Sequence, residues 1–208
     1  KLNIKEQNKA RLKIFHLLPS KDRGGAEIAA KNCVLIDDED FIFRTYYINN
    51  SEIENKILKK IINEFLNYFK GLKFFLNQHK FVILSSLWKS SILALMVKLL
   101  NPKTKIILFL HSSKNSHFLD NFFTSFLFLI ANEVWADSKN TLLIRLDELI
   151  FKKKNVKTKI VSFVLRRLKP VVYGEKITFN FIYWGRLHKV KNLIQTIKFF
   201  NEFYCIDN

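Results

Sequence analysis

Short apolar runs rich in Ile, Val, Phe and Tyr alternate along this chain with longer segments whose apolar positions recur every three or four residues. The short runs predict strands at "LKIFHLL" (12–18), "FRTYYI" (43–48), "FVILSS" (81–86), "KIILFLH" (105–111), "EVWADS" (133–138), "KIVSFVL" (159–165) and "FNFIYWG" (179–185). The longer segments predict helices over 25–36, 52–77, 88–100, 119–131, 139–151 and 190–203. Regular strand–helix alternation implies an α/β fold, a Rossmann-like parallel sheet with helices on both faces. With 208 residues and 49% apolar content the chain has material for a proper core.

The one proline-marked break in this rhythm is "RRLKPVVYGEK" (166–176). It separates six strands and five helices from a last strand–helix unit, so the expected organisation is a first domain over 1–168, then a linker and the opening strand–helix unit of a second domain over 169–208. The chain starts at Lys1 without signal-peptide architecture, which reads as a trimmed start or a fragment.

Charge narrows the partners without choosing one. The 35 Lys and Arg against 18 Asp and Glu, a formal net charge of +17, favour nucleotide phosphates, anionic lipid or nucleic acid. The lysines are spread and the usual nucleic-acid motifs are missing, so nucleic acid is not an expected partner. The two cysteines, Cys33 and Cys205, have neither metal-ligand spacing nor the density of a disulfide scaffold, and a reducing, cytoplasmic setting fits them. The longest apolar stretches, "SSILALMVKLL" and "NFFTSFLFLIA", fall short of the roughly 20 residues that span a bilayer.

In open parallel sheets ligands bind outside the carboxyl ends of the strands, so the strand–helix junctions are where chemistry is expected. After the first strand come Gly24, Gly25 and Glu27, either a plain turn or a loop that lets main-chain N–H groups at a helix start approach an anion. At the end of the fourth strand His111 is followed by Ser112 and Ser113, where a polar cluster abruptly replaces "IILFL". A histidine there can hydrogen-bond a sugar hydroxyl or a developing negative charge. After the fifth strand Asp137 and Ser138 stand at a helix start, where Ser138 reads as an N-cap. In "YWGRLHKVKNL" Arg186 and Lys191 flank another helix start, as a diphosphate site or as a solvated basic turn.

Taken together, these junctions resemble the GT-B glycosyltransferases of retaining family 4 (glycosyl transferases group 1). In that family a "GGAE"-type loop follows the first strand, a histidine ends a central strand, a "vvaxS" segment precedes a helix and "yvGRLxxxKG" opens the second domain. The matching residues here are "GGAE" (24–27), "LHSS" (110–113), "VWADSKNT" (134–141) and "FIYWGRLHKVKNL" (181–193), in the same order. The resemblance implies a hexosyltransferase that moves a sugar from a nucleotide diphosphate sugar to a glycan or lipid-linked acceptor, as in surface polysaccharide or lipopolysaccharide biosynthesis. It implies retained anomeric configuration, no metal and no cofactor beyond the sugar nucleotide. By the same resemblance the N-terminal domain faces mainly the acceptor and the C-terminal one the donor. Arg186 and Lys191, with main-chain N–H groups of Gly24 and Gly25, would hold the donor diphosphate, and His111 would stand at the transferred sugar. Glu27, Ser112, Asp137 and Ser138 would be acceptor-side or structural.

Two departures qualify the match. The family's Lys-Gly is Lys191-Asn192 here, and its E-x7-E pair, which grips the donor, would lie beyond Asn208, so the 208 residues alone are expected to be inactive. A sugar-nucleotide 2-epimerase of the same architecture and a basic nucleic-acid or membrane-binding module without catalysis are the alternatives. Between Ser51 and Lys80, apolar residues at helical spacing with interleaved lysines predict a crossover helix packed on the sheet, or a basic face resting on anionic lipid. With the aromatic stretch "DNFFTSFLFL" (120–129) beside it, such a face would suit a membrane-carried acceptor and a peripheral place at the inner face of a membrane.

Overall fold

A computed structural model describes residues 11–21, 24–35, 38–49, 57–114, 117–153, 155–161 and 192–206. Compact units span Lys1–Arg167 and Leu168–Asn208. In the first, β1 (Leu12–Ser20), α1 (Gly25–Cys33), β2 (Phe41–Asn49), α2 (Ile57–Leu76), β3 (Phe81–Ser86), α3 (Trp88–Leu100), β4 (Lys105–Leu110), α4 (Phe118–Ile130), β5 (Glu133–Ala136), α5 (Lys139–Glu148) and β6 (Lys157–Ile160) follow one another. In the second unit the described element is α6 (Leu193–Ile206).

The strands form one sheet in the order β2-β1-β3-β4-β5-β6, with every pairing parallel. The central strand β3, "FVILSS", is buried at every position, which is why it reads as a continuous apolar run rather than an alternation. Phe15 and Leu17 of β1, Phe81 and Ile83 of β3, Ile106, Leu108 and Leu110 of β4 and Val134 and Ala136 of β5 share the main core with α2, α3 and α4. The alternate residues, His16, Leu18, Val82, Leu84, Ser86 and Phe109, point to the opposite face. Right-handed crossovers put α1 on that second face, because the chain moves one way from β1 to β2 and the other way from β2 onwards. The fold is therefore the expected Rossmann-like sheet covered on both faces.

Helix α2 approaches the sheet closely at Gly71. A Cβ there would stand 2.8 Å from Leu93 Cδ2 of α3 and 3.1 Å from Tyr46 Oη of β2, so any larger residue would force these side chains to shift. The same inner face carries the buried Tyr68 and Phe75.

Several element ends differ from the sequence expectation, each for a local reason. Strand β5 stops at Ala136 and not at 138, because Ser138 leaves the ladder to cap α5, its Oγ accepting from the Thr141 N–H at 3.1 Å. Helix α1 ends at Cys33, and the turn before β2 is closed by Asp38 Oδ1, which accepts from the backbone N–H groups of Asp40 and Phe41. Helix α5 ends at Glu148, because Leu149 is extended and the Ile150 N–H is drawn to Ser125 Oγ of α4 at 3.0 Å. Strand β6 begins at Lys157, where the ammonium groups of Lys157 and Lys159 straddle Glu133 of β5 at 3.0 and 3.5 Å. Residues 52–56 of the second expected helix, the end of the sixth expected strand and the whole seventh strand lie outside the described residues.

Candidate active site

The strand order reverses between β1 and β3, and a parallel sheet opens its ligand crevice at the carboxyl ends of the strands beside such a point. Three polar side chains, one in β1, one in β3 and one just past β4, meet there on the α1 face. His16 Nε2 and His111 Nε2 each lie 2.7 Å from the same Ser86 Oγ. Pairing of Ser86 with Phe109 and of His16 with Leu84 sets this diagonal, and the Phe109 ring packs against both imidazoles.

Burial fixes the charge state of the pair. His16 is 2% exposed, and its pKa is lowered to about 3, first by desolvation and then by the neighbouring His111. For His111 burial lowers the pKa to about 4, against an opposing pull from the Asp137 carboxylate. Both rings are neutral near pH 7. A serine hydroxyl has one proton to donate and two lone pairs to accept with, so at most one imidazole accepts the Ser86 proton at Nε2 and at least one donates its Nε2–H to Ser86. Both Nε2 atoms cannot accept from the single hydroxyl proton at once, so the tautomer of His111 is tied to that of His16. Ser86 is fully buried, which makes its hydroxyl an internal link and not an exposed nucleophile.

The residue after Ser86 is strained. Leu87 begins the turn into α3 with φ 70° and ψ 152°, a region that residues other than glycine rarely occupy and that costs about 1–3 kcal/mol. Neither His16, Ser86 nor Leu87 was an expected site residue. The available signal was a histidine inside the apolar run "LKIFHLL" and two serines closing "FVILSS".

Of the expected residues, Gly24 is the N-cap of α1 and Gly25 its first residue, at the carboxyl end of β1. Neither glycine has a positive φ, so the backbone conformation does not demand them. Nothing lies within 4 Å of a Cβ built on Gly25, whereas one on Gly24 would meet the flexible carboxylate of Glu27. No side chain caps α1, and its first N–H groups face the crevice end of the sheet. Ser112 forms a local turn, its Oγ donating to Lys114 O and accepting from Lys114 N–H, a structural task. Ser138 is the cap of α5. Asp137 presents a buried Oδ1 without a hydrogen-bond partner among the described residues, on the His111 side of the sheet. His117 caps α4, its Nδ1 accepting from Asp120 N–H at 3.2 Å. Arg186 and Lys191 lie outside the described residues. Asn192, next to them, has φ 48° and accepts from Thr196 at the start of α6. Among the described residues no group of His, Cys, Asp and Glu is placed to hold a metal ion.

A single parallel sheet with helices on both faces and a polar cluster at the strand-order reversal defines a Rossmann-like α/β domain, the architecture of a GT-B N-terminal domain. No protein-family model matches the sequence, and no curated protein matches it. Among solved structures, Anabaena HepE, determined in complex with UDP and glucose, has a similar fold, with a TM-score of 0.50 and 14% identity over 73% of this chain. The match covers 44% of HepE, so the chain spans less than half the length of that protein.

Proposed function

We propose that this chain is the acceptor-side part of a GT-B glycosyltransferase of retaining family 4, which moves a sugar from a nucleotide diphosphate sugar to a glycan or lipid-linked acceptor. The observation that carries this reading is His111, a neutral imidazole fixed by Ser86 at the carboxyl end of β4. A neutral imidazole orients a sugar hydroxyl by hydrogen bonding, and with its pKa near 4 it is not a general acid at neutral pH. The charge that grows on the departing nucleotide diphosphate falls to the cations Arg186 and Lys191 and to the uncapped N–H groups of α1. Residues 1–168 form the acceptor side and 169–208 open the donor-binding domain. In this reading no metal is required, the leaving-group charge being assigned to these cations and N–H groups. The fold likeness to a protein solved with UDP and glucose supports a nucleotide sugar as co-substrate.

A lipid-carried acceptor is supported by the outer face of α2. Ile61, Phe65 and Phe69 are exposed there, Phe65 by 64%, among the exposed Lys59, Lys70 and Lys73. Helices α2, α3 and α4 lie side by side on one face of the sheet, and α4 exposes Phe118 and Phe126. Aromatic residues interleaved with lysines suit the interface of an anionic bilayer, which makes the protein peripheral at a cytoplasmic membrane face. Among the described residues no helix is long and apolar enough to cross a membrane.

The test is calorimetric titration of the full-length protein with nucleoside diphosphates, followed by mass spectrometry of products formed from their sugars. His111→Ala is expected to lower kcat by about a hundredfold or more with diphosphate binding little changed. Failure of the wild-type protein to bind any nucleoside diphosphate, together with no transfer, overturns the proposal.

A further inference from the structure

Beside His111, under the loop that follows β4, lies a small cavity with an unusual floor. Arg145 of α5 is 5% exposed, and its guanidinium meets Asp120 of α4 only through Nη2, at 3.5 Å from Oδ1. That oxygen already accepts from Thr124 Oγ1 at 3.2 Å. Arg145 Nη1 is buried with no hydrogen-bond partner among the described residues. Guanidinium does not shed its proton, and a buried charged donor without an acceptor is costly, so the site calls for an acceptor atom. The cavity that Arg145 lines measures about 40 Å³, room for one small polar group and too little for a sugar ring. Leu87, Leu110, His111 and Asp120 also line it, and the exposed Ser112 and Lys114 stand at its mouth. The lining carries two cationic residues, Arg145 and Lys114, and one acidic residue, Asp120.

We propose that this cavity receives an oxyanion, the carboxylate or phosphoryl group of an anionic acceptor, with Arg145 Nη1 donating to it from the floor and Lys114 attracting it at the mouth. The word acceptor rests on the glycosyltransferase reading, whereas the oxyanion site itself does not. Asp120 holds Arg145 in place and lowers the affinity for any anion through its own charge, and a group with two or three oxygens is favoured over chloride by the directional hydrogen bonds that guanidinium donates. Because His111 lines the same cavity, an acceptor anchored here would lie at the carboxyl end of β4, next to the residue that carries the imidazole.

The experiment is NMR titration of the full-length protein with sodium acetate and, separately, inorganic phosphate, at constant ionic strength set with chloride. Saturable shifts are expected at residues around the cavity, and the better of the two probes distinguishes a carboxylate from a phosphate acceptor. Arg145→Met is expected to weaken binding at least tenfold, and Asp120→Asn to tighten it several-fold by removing the opposing charge. If Arg145→Met does not fold, Asp120→Asn decides: a tighter site supports the proposal and an unchanged one overturns it. Shifts no larger than those with chloride mean that the cavity holds water only, and the proposal falls. Nucleoside diphosphate binding, measured in parallel, separates the two readings. Its loss with oxyanion binding intact removes the transferase and leaves the subsite, and the reverse result removes the subsite alone.

Discussion

His16, inside β1, and His111, one residue past β4, lie with their rings 6.4 Å apart and within 19° of parallel, joined through the single hydroxyl of Ser86. Two neutral imidazoles sharing one serine behave as one unit: what protonates or removes one member alters the other.

Stability should fall with acid well above the carboxylate range. The folded pKa values of about 3 and about 4 lie below the unfolded value of 6.5, so between about pH 6.5 and about pH 4 the unfolded chain binds protons that the native state refuses. The stabilisation from holding these rings neutral is complete above the unfolded pKa and is lost as pH falls towards the folded ones. The slope reaches about 1.4 kcal/mol per pH unit for each histidine. Urea unfolding at neutral pH and near pH 5 should show this loss, and His16→Gln should roughly halve it. A slope that the variant leaves untouched assigns the acid sensitivity elsewhere.

Ser86→Ala leaves both Nε2 atoms facing a methyl group. The expected cost is about 1–3 kcal/mol, from stranding a buried polar group. Nitrogen-15 spectra of the histidines should show the linked tautomers of the wild-type protein becoming independent in the variant. Unchanged spectra would mean that the two rings do not share the hydroxyl.

The glycines separate a site from a packing contact. Gly25→Ala should be neutral or stabilising by up to about 1 kcal/mol, since a Cβ there meets nothing. Gly25→Val should keep the fold and abolish transfer by the full-length protein, because the side chain would fill the space above the first N–H groups of α1. Gly71→Ala should destabilise by about 1–3 kcal/mol through Leu93 and Tyr46. Thermal unfolding of the three variants, with an activity assay on the first two, checks the contrast; an active Gly25→Val protein reduces the glycine pair to a turn.

The outer face of α2 gives a membrane prediction. Replacing Phe65 and Phe69 together by Asp should abolish sedimentation with vesicles containing anionic lipid while leaving stability nearly unchanged, as both side chains are exposed. Equal wild-type sedimentation with neutral and anionic vesicles would remove the electrostatic part of the proposal.

The sequence by itself determined the order and type of the described elements, because that information is local. Runs such as "FVILSS" and "KIILFL" are strand-like wherever they sit, Ser138 is a cap by its position before a helix, and alternation of strand and helix allows little but a parallel sheet. It also placed His111 and the glycine pair at carboxyl ends of strands. What only the tertiary structure decided is which distant side chains meet. His16 looked like one more residue of an apolar strand until the pairing of β1, β3 and β4 brought it to Ser86 and His111 on one face. Arg145 is one charged residue within a predicted helix, and only the packing of α4 and α5 brings it to Asp120. Register and helix docking are set by the whole core, and no short stretch of chain contains them.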